Sequence, residues 1–547
     1  MKKYFKYTII TVILLTILIS SVHYANHMFI QEIEYTEKWG DALKLEKISQ
    51  KDKSLISTIG DEIININIEN SNTINFKILD TKGKLKRDGS SKLINYENIK
   101  VPNIQFIENN LIYIYENDLY VAKFENNKFS KSKKIINNVE NMRVESNKDN
   151  ILITTVNTEK VRVYELHNDE VKNIYEEDNV LNMKEAVYQE HGDNKYIVTL
   201  IEDDLGSVRL IMMPVNEKNR EAIEISEVDT YSGYTIRDLN VDYLNEKVII
   251  TYVLNLSSKG FQSYNIEYSS VDSNTLEVKK GKLEQSQYKI GELESDIETY
   301  IKDDQLHIVA SGVNYNNKYT QVNDIFDFII GENGEINDLE FISTTQEYSN
   351  EINVVTLDNE IYLSFKDIVS GGYNVNLIGT SDDFMERKDI TKDDYIDALL
   401  KSIPSPFIAL AYTILRGFIL LVMLIVPLAF AYVAYLSKNN DKDGIKTAIM
   451  IGLYIIANII AYKFIYYKVG STFYYPELFH HPLYSYIAPV IINLLSGIAL
   501  FVFFKESKKK NHEFNYAVFA VFFICIDIYL SNLLYAPFVM VGKLISM

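Results

Sequence analysis

The sequence predicts two architectures in one chain: an all-β extracytoplasmic β-propeller, and an α-helical membrane domain drawn from the two ends. Three observations carry this reading. Apolar runs approaching the roughly 20 residues a helix needs to cross a bilayer occur at residues 7–22 and again beyond residue 417. Between them, seven strand-rich units recur at spacings of 40 to 58 residues. That is the period of a four-stranded propeller blade. Charge follows the same boundaries, with an acidic middle and lysine-rich ends.

Composition excludes several classes. The 547 residues hold 55 Lys+Arg against 74 Asp+Glu, a net charge of −19. A nucleic-acid partner is not expected, because displacing counterions from phosphates needs a basic surface. A single cysteine, Cys525, leaves no disulfide framework, cysteine zinc site or iron–sulfur cluster. Heavy use of Lys, Asn and Ile leads to the expectation of a bacterial host with an AT-rich genome.

Residues 1–30 come first. Tyr7–Val22 follows Lys2, Lys3 and Lys6 and reads as a signal-anchor transmembrane helix. The alternative is a cleaved secretory signal, but cleavage near Ala25 would put His23 where a small residue is needed.

Residues 31–392 form the expected propeller. The leading strands of its units are Ile63–Ile68, Leu111–Tyr115, Ile151–Val156, Tyr196–Ile201, Val248–Leu254, Leu306–Ser311 and Ile361–Phe365. They are rich in Ile, Val, Tyr and Thr, which suit a pleated surface. A turn of Asp, Asn, Gly or Glu precedes each one, as in Glu108-Asn109, Asn245-Glu246, Asp303-Asp304 and Asp358-Asn359. A second strand follows, for example Val161–Leu166 or Tyr373–Thr380. The leading strands, read as the inner ones, are nearly all apolar, which fits blades stacked face to face. Seven blades are expected, and six or eight suit the spacing. A β-solenoid or tandem sandwiches would be the competing folds. The last unit, Asn359–Phe384 (NEIYLSFKDIVSGGYNVNLIGTSDDF), resembles a blade of the bacterial propellers related to sialidases, without their full Asp-box.

Residues 393–416 read as a connecting and interfacial helix, with Tyr395, Ile396, Leu399, Leu400 and Ile403 on one side and Arg416 at the boundary. Residues 417–547 read as a four-helix transmembrane domain with spans at Gly417–Leu436, Thr447–Tyr467, Leu483–Phe504 and Phe514–Val541, making five transmembrane helices in all. Ten lysines in the N-terminal tail and in the loops 437–446 and 505–513 oppose two, Lys468 and Lys543, in the other loop and tail. The positive-inside rule then predicts a multi-pass cell-membrane protein with a cytoplasmic N-terminus, residues 31–403 extracytoplasmic and an extracytoplasmic C-terminus. The outside segment carries 41 basic and 68 acidic residues.

Candidate sites are few. Asp527 falls near the middle of the last span, with Asn458 and Asn493 in the middle of theirs. An intramembrane carboxylate is expensive and marks either an ion or proton pathway or hydrogen bonding between helices. Glu477, His480 and His481 share the loop PELFHHP, a ligand set acceptable to zinc or copper, although an interfacial contact explains it as well. The pairs Asp203-Asp204, Asp303-Asp304 and Asp382-Asp383 read as solvated turns rather than glycosidase carboxylates. No HExxH, P-loop, Rossmann fingerprint or GxSxG occurs, so no catalytic residue, metal or cofactor is assigned. The expected function is binding, sensing or scaffolding by the acidic propeller, with membrane lipid and a protein or cell-surface ligand as partners. A transporter or channel component is the alternative, and an extracellular glycan or peptide hydrolase the lesser one.

Overall fold

The structure is a computed structural model. It describes residues 2–545 except 32–37, 70–72, 93–103, 148–149, 168–169, 179–181, 193, 204–205, 216–221, 259–260, 315–321, 332–335, 344–346, 386–391, 415–447, 450, 457, 461–482 and 509–515. The chain divides into two compact units. One comprises Glu34–Asn316 and Val322–Asp389. The other joins the two ends, Met1–Ile33 and Ile390–Met547.

The first unit is a seven-bladed β-propeller. Its 29 described strands, β1 to β29, form seven antiparallel sheets that follow one another along the chain. The apolar leading strands are the second strand of each blade: β3 (Glu62–Ile68), β7 (Asn110–Tyr115), β12 (Asn150–Val156), β16 (Asn194–Glu202), β20 (Lys247–Ser258), β24 (Gln305–Asn314) and β28 (Glu360–Val369). Both faces of these strands are covered. Ile63, Ile64 and Ile66 of β3 are fully buried, as are Ile308, Val309 and Ala310 of β24. The blades therefore pack face to face, which is why these strands do not alternate.

The leading strands are not the innermost ones, contrary to the reading from sequence. The first strands of the blades are β2 (Lys53–Ile59), β6 (Ile104–Ile107), β11 (Asn141–Asn147), β15 (Met183–His191), β19 (Tyr234–Leu244), β23 (Ile290–Lys302) and β27 (Tyr348–Leu357). Each approaches the first strand of the next blade, and β27 approaches β2, closing the inner ring. Tight turns join first to second strands. Glu108-Asn109, Asn245-Glu246, Asp303-Asp304 and Asp358-Asn359 all have positive φ at both positions. This is the two-residue hairpin geometry whose twist matches that of the flanking strands, and Asn and Asp tolerate it best.

Closure uses the N-terminus. The last blade contains β27, β28 and β29 (Gly372–Gly379) from the end of the propeller, and its fourth strand is β1 (Leu43–Ile48) from the beginning. The two are antiparallel, from Leu43 opposite Leu377 to Ile48 opposite Tyr373. Trp39, the only tryptophan, is buried just before β1 among Val309, Ile325, Leu363 and Phe365.

The second unit is helical. It contains α1 (Lys2–Gln31), α3 (Lys392–Ser402), α4 (405–414), α5 (Ile451–Ile460), α6 (Tyr484–Lys508) and α7 (Tyr516–Ile545); the single turn α2 (Asp382–Met385) belongs to the propeller. Its core joins Leu15 and Ile19 of α1 to Tyr454, Ile492, Leu500, Leu530 and Leu533. The outward faces are apolar as well, with Leu14 and Ile17 of α1 and Leu494 and Phe501 of α6 more than half exposed.

The expectation of five spans is not supported. Among the described residues two helical segments are long and apolar enough to cross a membrane, Thr8–Met28 and Val521–Phe538. The apolar parts of α5 and α6, Ile451–Ile460 and Tyr486–Phe501, are shorter, α6 ending in Lys505, Glu506 and Lys508. The run Gly417–Leu436 lies outside the described residues, and so do Glu477, His480, His481 and Arg416.

Candidate functional site

The innermost strands carry charge, because their accessible residues point along the propeller axis rather than into a neighbouring blade. In β11 Met142 and Val144 are buried, while Arg143 and Glu145 between them stay partly accessible, the two-residue period of a strand. The same alternation brings Glu185 and Gln189 from β15, Asp238 and Asp242 from β19, and Asp296 and Glu298 from β23 to the axis. β-Bulges interrupt three successive inner strands, between Arg237 and Asn240, Leu293 and Ile297, and Asn350 and Asn353. Each bulge contains a carboxylate: Asp238, Asp296 and Glu351 respectively. Such bulges re-aim side chains locally.

Hydrogen bonds tie blades three to six across the axis. Arg143 donates from Nη2 to Asn240 Oδ1 at 2.5 Å, skipping the intervening blade. Asn240 Nδ2 donates onward to the Ile297 carbonyl at 3.2 Å. Gln189 Nε2 donates to Glu145 Oε2 at 3.1 Å and to the Val241 carbonyl at 2.7 Å. On the opposite side Lys366 Nζ pairs with Glu351 and donates to the Asp52 carbonyl at 3.3 Å.

The electrostatics follow from enclosure with too few cations. Burial pushes Glu145 up to about 8, against the pull of Arg143 and with the help of Asp242. Burial raises Glu298 to about 7, Arg143 opposing and Asp296 and Asp242 adding. Asp238 also rises to about 7, through burial and then through Asp296 and Glu185. Glu185 and Asp242 move upward for the same reason. Burial lowers Lys53, with Glu351 opposing the change. Arg143 thus serves Glu145, Glu185, Asp242 and Glu298 at once. Among the described residues the buried Asp242 Oδ2 has no hydrogen-bond partner.

The sequence reading missed these residues. The usable signal was the alternation of acids in MRVESN, RDLNVDY and ELESDIE, which becomes meaningful only once those strands are known to be innermost. Of the acidic pairs it did single out, Asp303-Asp304 lies in a tight turn and Asp382-Asp383 opens the single helical turn α2, while Asp204 lies outside the described residues. Asp303-Asp304 joins β23 to β24, Asp383 pairs with Lys82 at 2.5 Å, and Asp203 accepts from the Ser207 amide at 2.9 Å. Among the described residues no group of three His, Cys, Asp or Glu side chains is placed to hold a metal ion.

In the helical unit the structure brings Asp527 and Asn458 together but not Asn493. Asp527 is fully buried. Its Oδ2 accepts from the Tyr454 hydroxyl at 2.7 Å and from Asn458 Nδ2 at 2.6 Å. Ser496 Oγ lies 3.3 Å from Asp527 Oδ1 and donates to the Ile492 carbonyl at 2.9 Å. Asn493 donates to the Pro489 carbonyl of its own helix at 2.6 Å, and among the described residues its buried Oδ1 has no partner. α1 joins this cluster: its His23 ring contacts the Leu533 carbonyl at 2.7 Å. Pro537 explains why that carbonyl is free, since proline has no N–H to close the helical bond to the residue four before it.

No family model matches the chain, and no curated protein matches it. Solved structures resemble it in outline. A polysaccharide lyase, Uly1, has 7% identity over 61% of this chain and 91% of its own, with a TM-score of 0.44. The WD40 domain of SCAP from fission yeast has 9% identity over 64% of this chain and all of its own, with a TM-score of 0.34. The WD40 domain of Toxoplasma gondii coronin has 10% identity over 65% and 90%, with a TM-score of 0.37. Lyase and WD40 domains appear together at this level, so these likenesses assign no activity.

Proposed function

We propose that this is a multi-pass membrane protein that holds its propeller outside the membrane and receives a cationic group of a partner on the propeller axis. The observation that carries the reading is the gathering of Glu145, Glu185, Asp238, Asp242, Asp296 and Glu298 from four blades at the axis, where Arg143 alone serves Glu145, Glu185, Asp242 and Glu298, and Arg237 opposes the charge of Asp238. Protons shared among these carboxylates occupy the place a cation would take. An entering ammonium or guanidinium displaces them and gives Asp242 Oδ2 the partner it lacks. Membrane placement is supported by the apolar outer faces of α1 and α6, which water would not tolerate over such an area, and by the one-sided distribution of lysines.

The test is titration of the full-length protein in lipid nanodiscs with tetralysine and spermine by calorimetry. Two buffers of different ionisation enthalpy count the protons released. Binding should release protons and tighten by up to about tenfold per pH unit for each proton displaced between pH 6 and pH 8. Glu145→Gln with Glu298→Gln should abolish it, and Asp303→Asn with Asp304→Asn in the outer turn should not. Binding that ignores the axial pair and follows the turn pair would refute the reading.

A further inference from the structure

We propose that the cation received on the propeller axis is a linear polyamine, held by one ammonium group at each of two separate storeys of carboxylates. The inference deepens the reading of the axis proposed above and rests on it.

Contacts between the inner strands fix which residues share a height along the axis. Gln189 Nε2 donates to Glu145 at 3.1 Å and to the Val241 carbonyl at 2.7 Å. Asp242, next to Val241, accepts from the Thr299 hydroxyl. These residues of β11, β15, β19 and β23 make a first storey. Two residues earlier on three of those strands, Arg143 donates to Asn240 at 2.5 Å, and Asn240 donates to the Ile297 carbonyl at 3.2 Å, beside Glu298. That is the second storey. Earlier again come Glu185, Asp238 and Asp296, close enough that Asp238 feels both of the others. They form the third.

The storeys differ in charge. The second holds one cation, Arg143, and one acid, Glu298. The first holds Glu145 and Asp242. The third holds three acids, with Arg237 acting on Asp238, and Lys53 acting on Asp296 while it also meets Glu351 and Lys366. Negative charge is therefore in excess at the first and third storeys, with a balanced pair between them. One ammonium group can satisfy only one of the two. Two on a single chain satisfy both, because once one end is bound the other arrives at a high effective concentration. Asp242 Oδ2 marks the first-storey end independently of charge. It is a buried acceptor that has no donor among the described residues, and an ammonium group brings three.

The separation of the two storeys sets the length of the chain. Glu185 and Gln189 lie four residues apart on a regular stretch of β15, opposite Leu200 and Tyr196. At a rise of about 3.3 Å per residue they are about 13 Å apart. Asp238 and Asp242 are also four residues apart, but the bulge between Arg237 and Asn240 takes up one of them, which leaves about 10 Å. Extended spermidine and octamethylenediamine, which have equally many bonds between their end nitrogens, reach across such a gap. Putrescine and cadaverine reach little more than half as far. A central amine meets Arg143 and Glu298 together, so length decides the fit and a third charge does not.

The test is calorimetric titration of the full-length protein in nanodiscs, at one ionic strength, with putrescine, cadaverine, octamethylenediamine and spermidine. The two long amines should bind about tenfold or more tighter than the two short ones. Octamethylenediamine carries the same charge as putrescine, so its place in the series separates length from charge. Asp242→Asn at the first storey, and Glu185→Gln with Asp238→Asn at the third, should each weaken spermidine by about tenfold. Putrescine can move to the storey left intact and should change by no more than about twofold. If a variant does not fold, the amine series on the wild-type protein carries the test. Octamethylenediamine that binds no tighter than putrescine, or spermidine that ignores either storey's variant, overturns the proposal while tetralysine binding keeps the axis a cation site. Loss of tetralysine binding as well would defeat the reading of the axis, and this inference with it.

Discussion

Acidifying the medium should stabilise the propeller, and Glu145 lets the effect be worked out. In the unfolded chain this carboxyl ionises near 4.5, while in the fold it keeps its proton up to about 8. Between those values the folded chain holds a proton that the unfolded chain has lost. Stability is therefore complete below the window and falls as pH rises through it. At about 1.4 kcal/mol per pH unit, Glu145 alone sets a ceiling of about 5 kcal/mol. Glu145 keeps some contact with water and shares Arg143 with three other carboxyls, so about half that ceiling, roughly 2–3 kcal/mol, is the working figure at an effective dielectric near 20. For a domain of this size about 2 °C accompanies each kcal/mol. Glu145→Gln should thus raise the melting temperature by about 5 °C at pH 9 and leave it unchanged at pH 5. The lone tryptophan, Trp39, is buried in the last blade, so its fluorescence reports the melting of this unit in the full-length protein. A melting temperature that is flat from pH 5 to pH 9, or a variant that gains equally at both, would refute the reasoning.

Three further outcomes are expected. Asp327→Ala removes the buried partner of the Tyr300 hydroxyl (2.6 Å) and of His307 (3.0 Å) and should cost about 3 kcal/mol, read as an earlier Trp39 transition in urea. Deleting residues 38–48 takes away β1 and leaves the edge of β29 bare, so limited proteolysis should cut first between β27 and β29 while blades two to five resist. His23→Leu strands the Leu533 carbonyl and should lower resistance to denaturing detergent by about 1–3 kcal/mol. Adding Pro537→Ala restores the helical donor and should recover most of that loss, an outcome that a purely steric role for His23 would not give.

Much of the propeller is legible in the chain because its logic is local. Seven runs such as IININI and VIITYVL need cover on both faces, and the paired Asp, Asn and Glu turns before them force tight hairpins. The blade count and the second strand of every blade follow from those two facts. Closure by β1 was not legible, since Leu43–Ile48 (LKLEKI) is an unremarkable half-polar strand and nothing near it in sequence is its partner. The count of five spans is not supported, since among the described residues only Thr8–Met28 and Val521–Phe538 are long and apolar enough to cross, and the run Gly417–Leu436 lies outside them.

The sites divide along the same line. The sequence alone marked Asp527 and Asn458, because a carboxylate or amide inside an apolar run stands out without any fold. It marked Asn493 in the same way, and the structure turns that side chain to the Pro489 carbonyl of its own helix, because the direction in which a helical side chain points depends on neighbours the sequence does not name. Only the tertiary structure could gather Arg143, Glu145, Asp242 and Glu298. They come from three strands spread over more than a hundred residues, and each looks like an ordinary surface charge until the ring closes. Charge on an edge strand is cheap in water, and the same charge around a shared axis must find a proton or a cation.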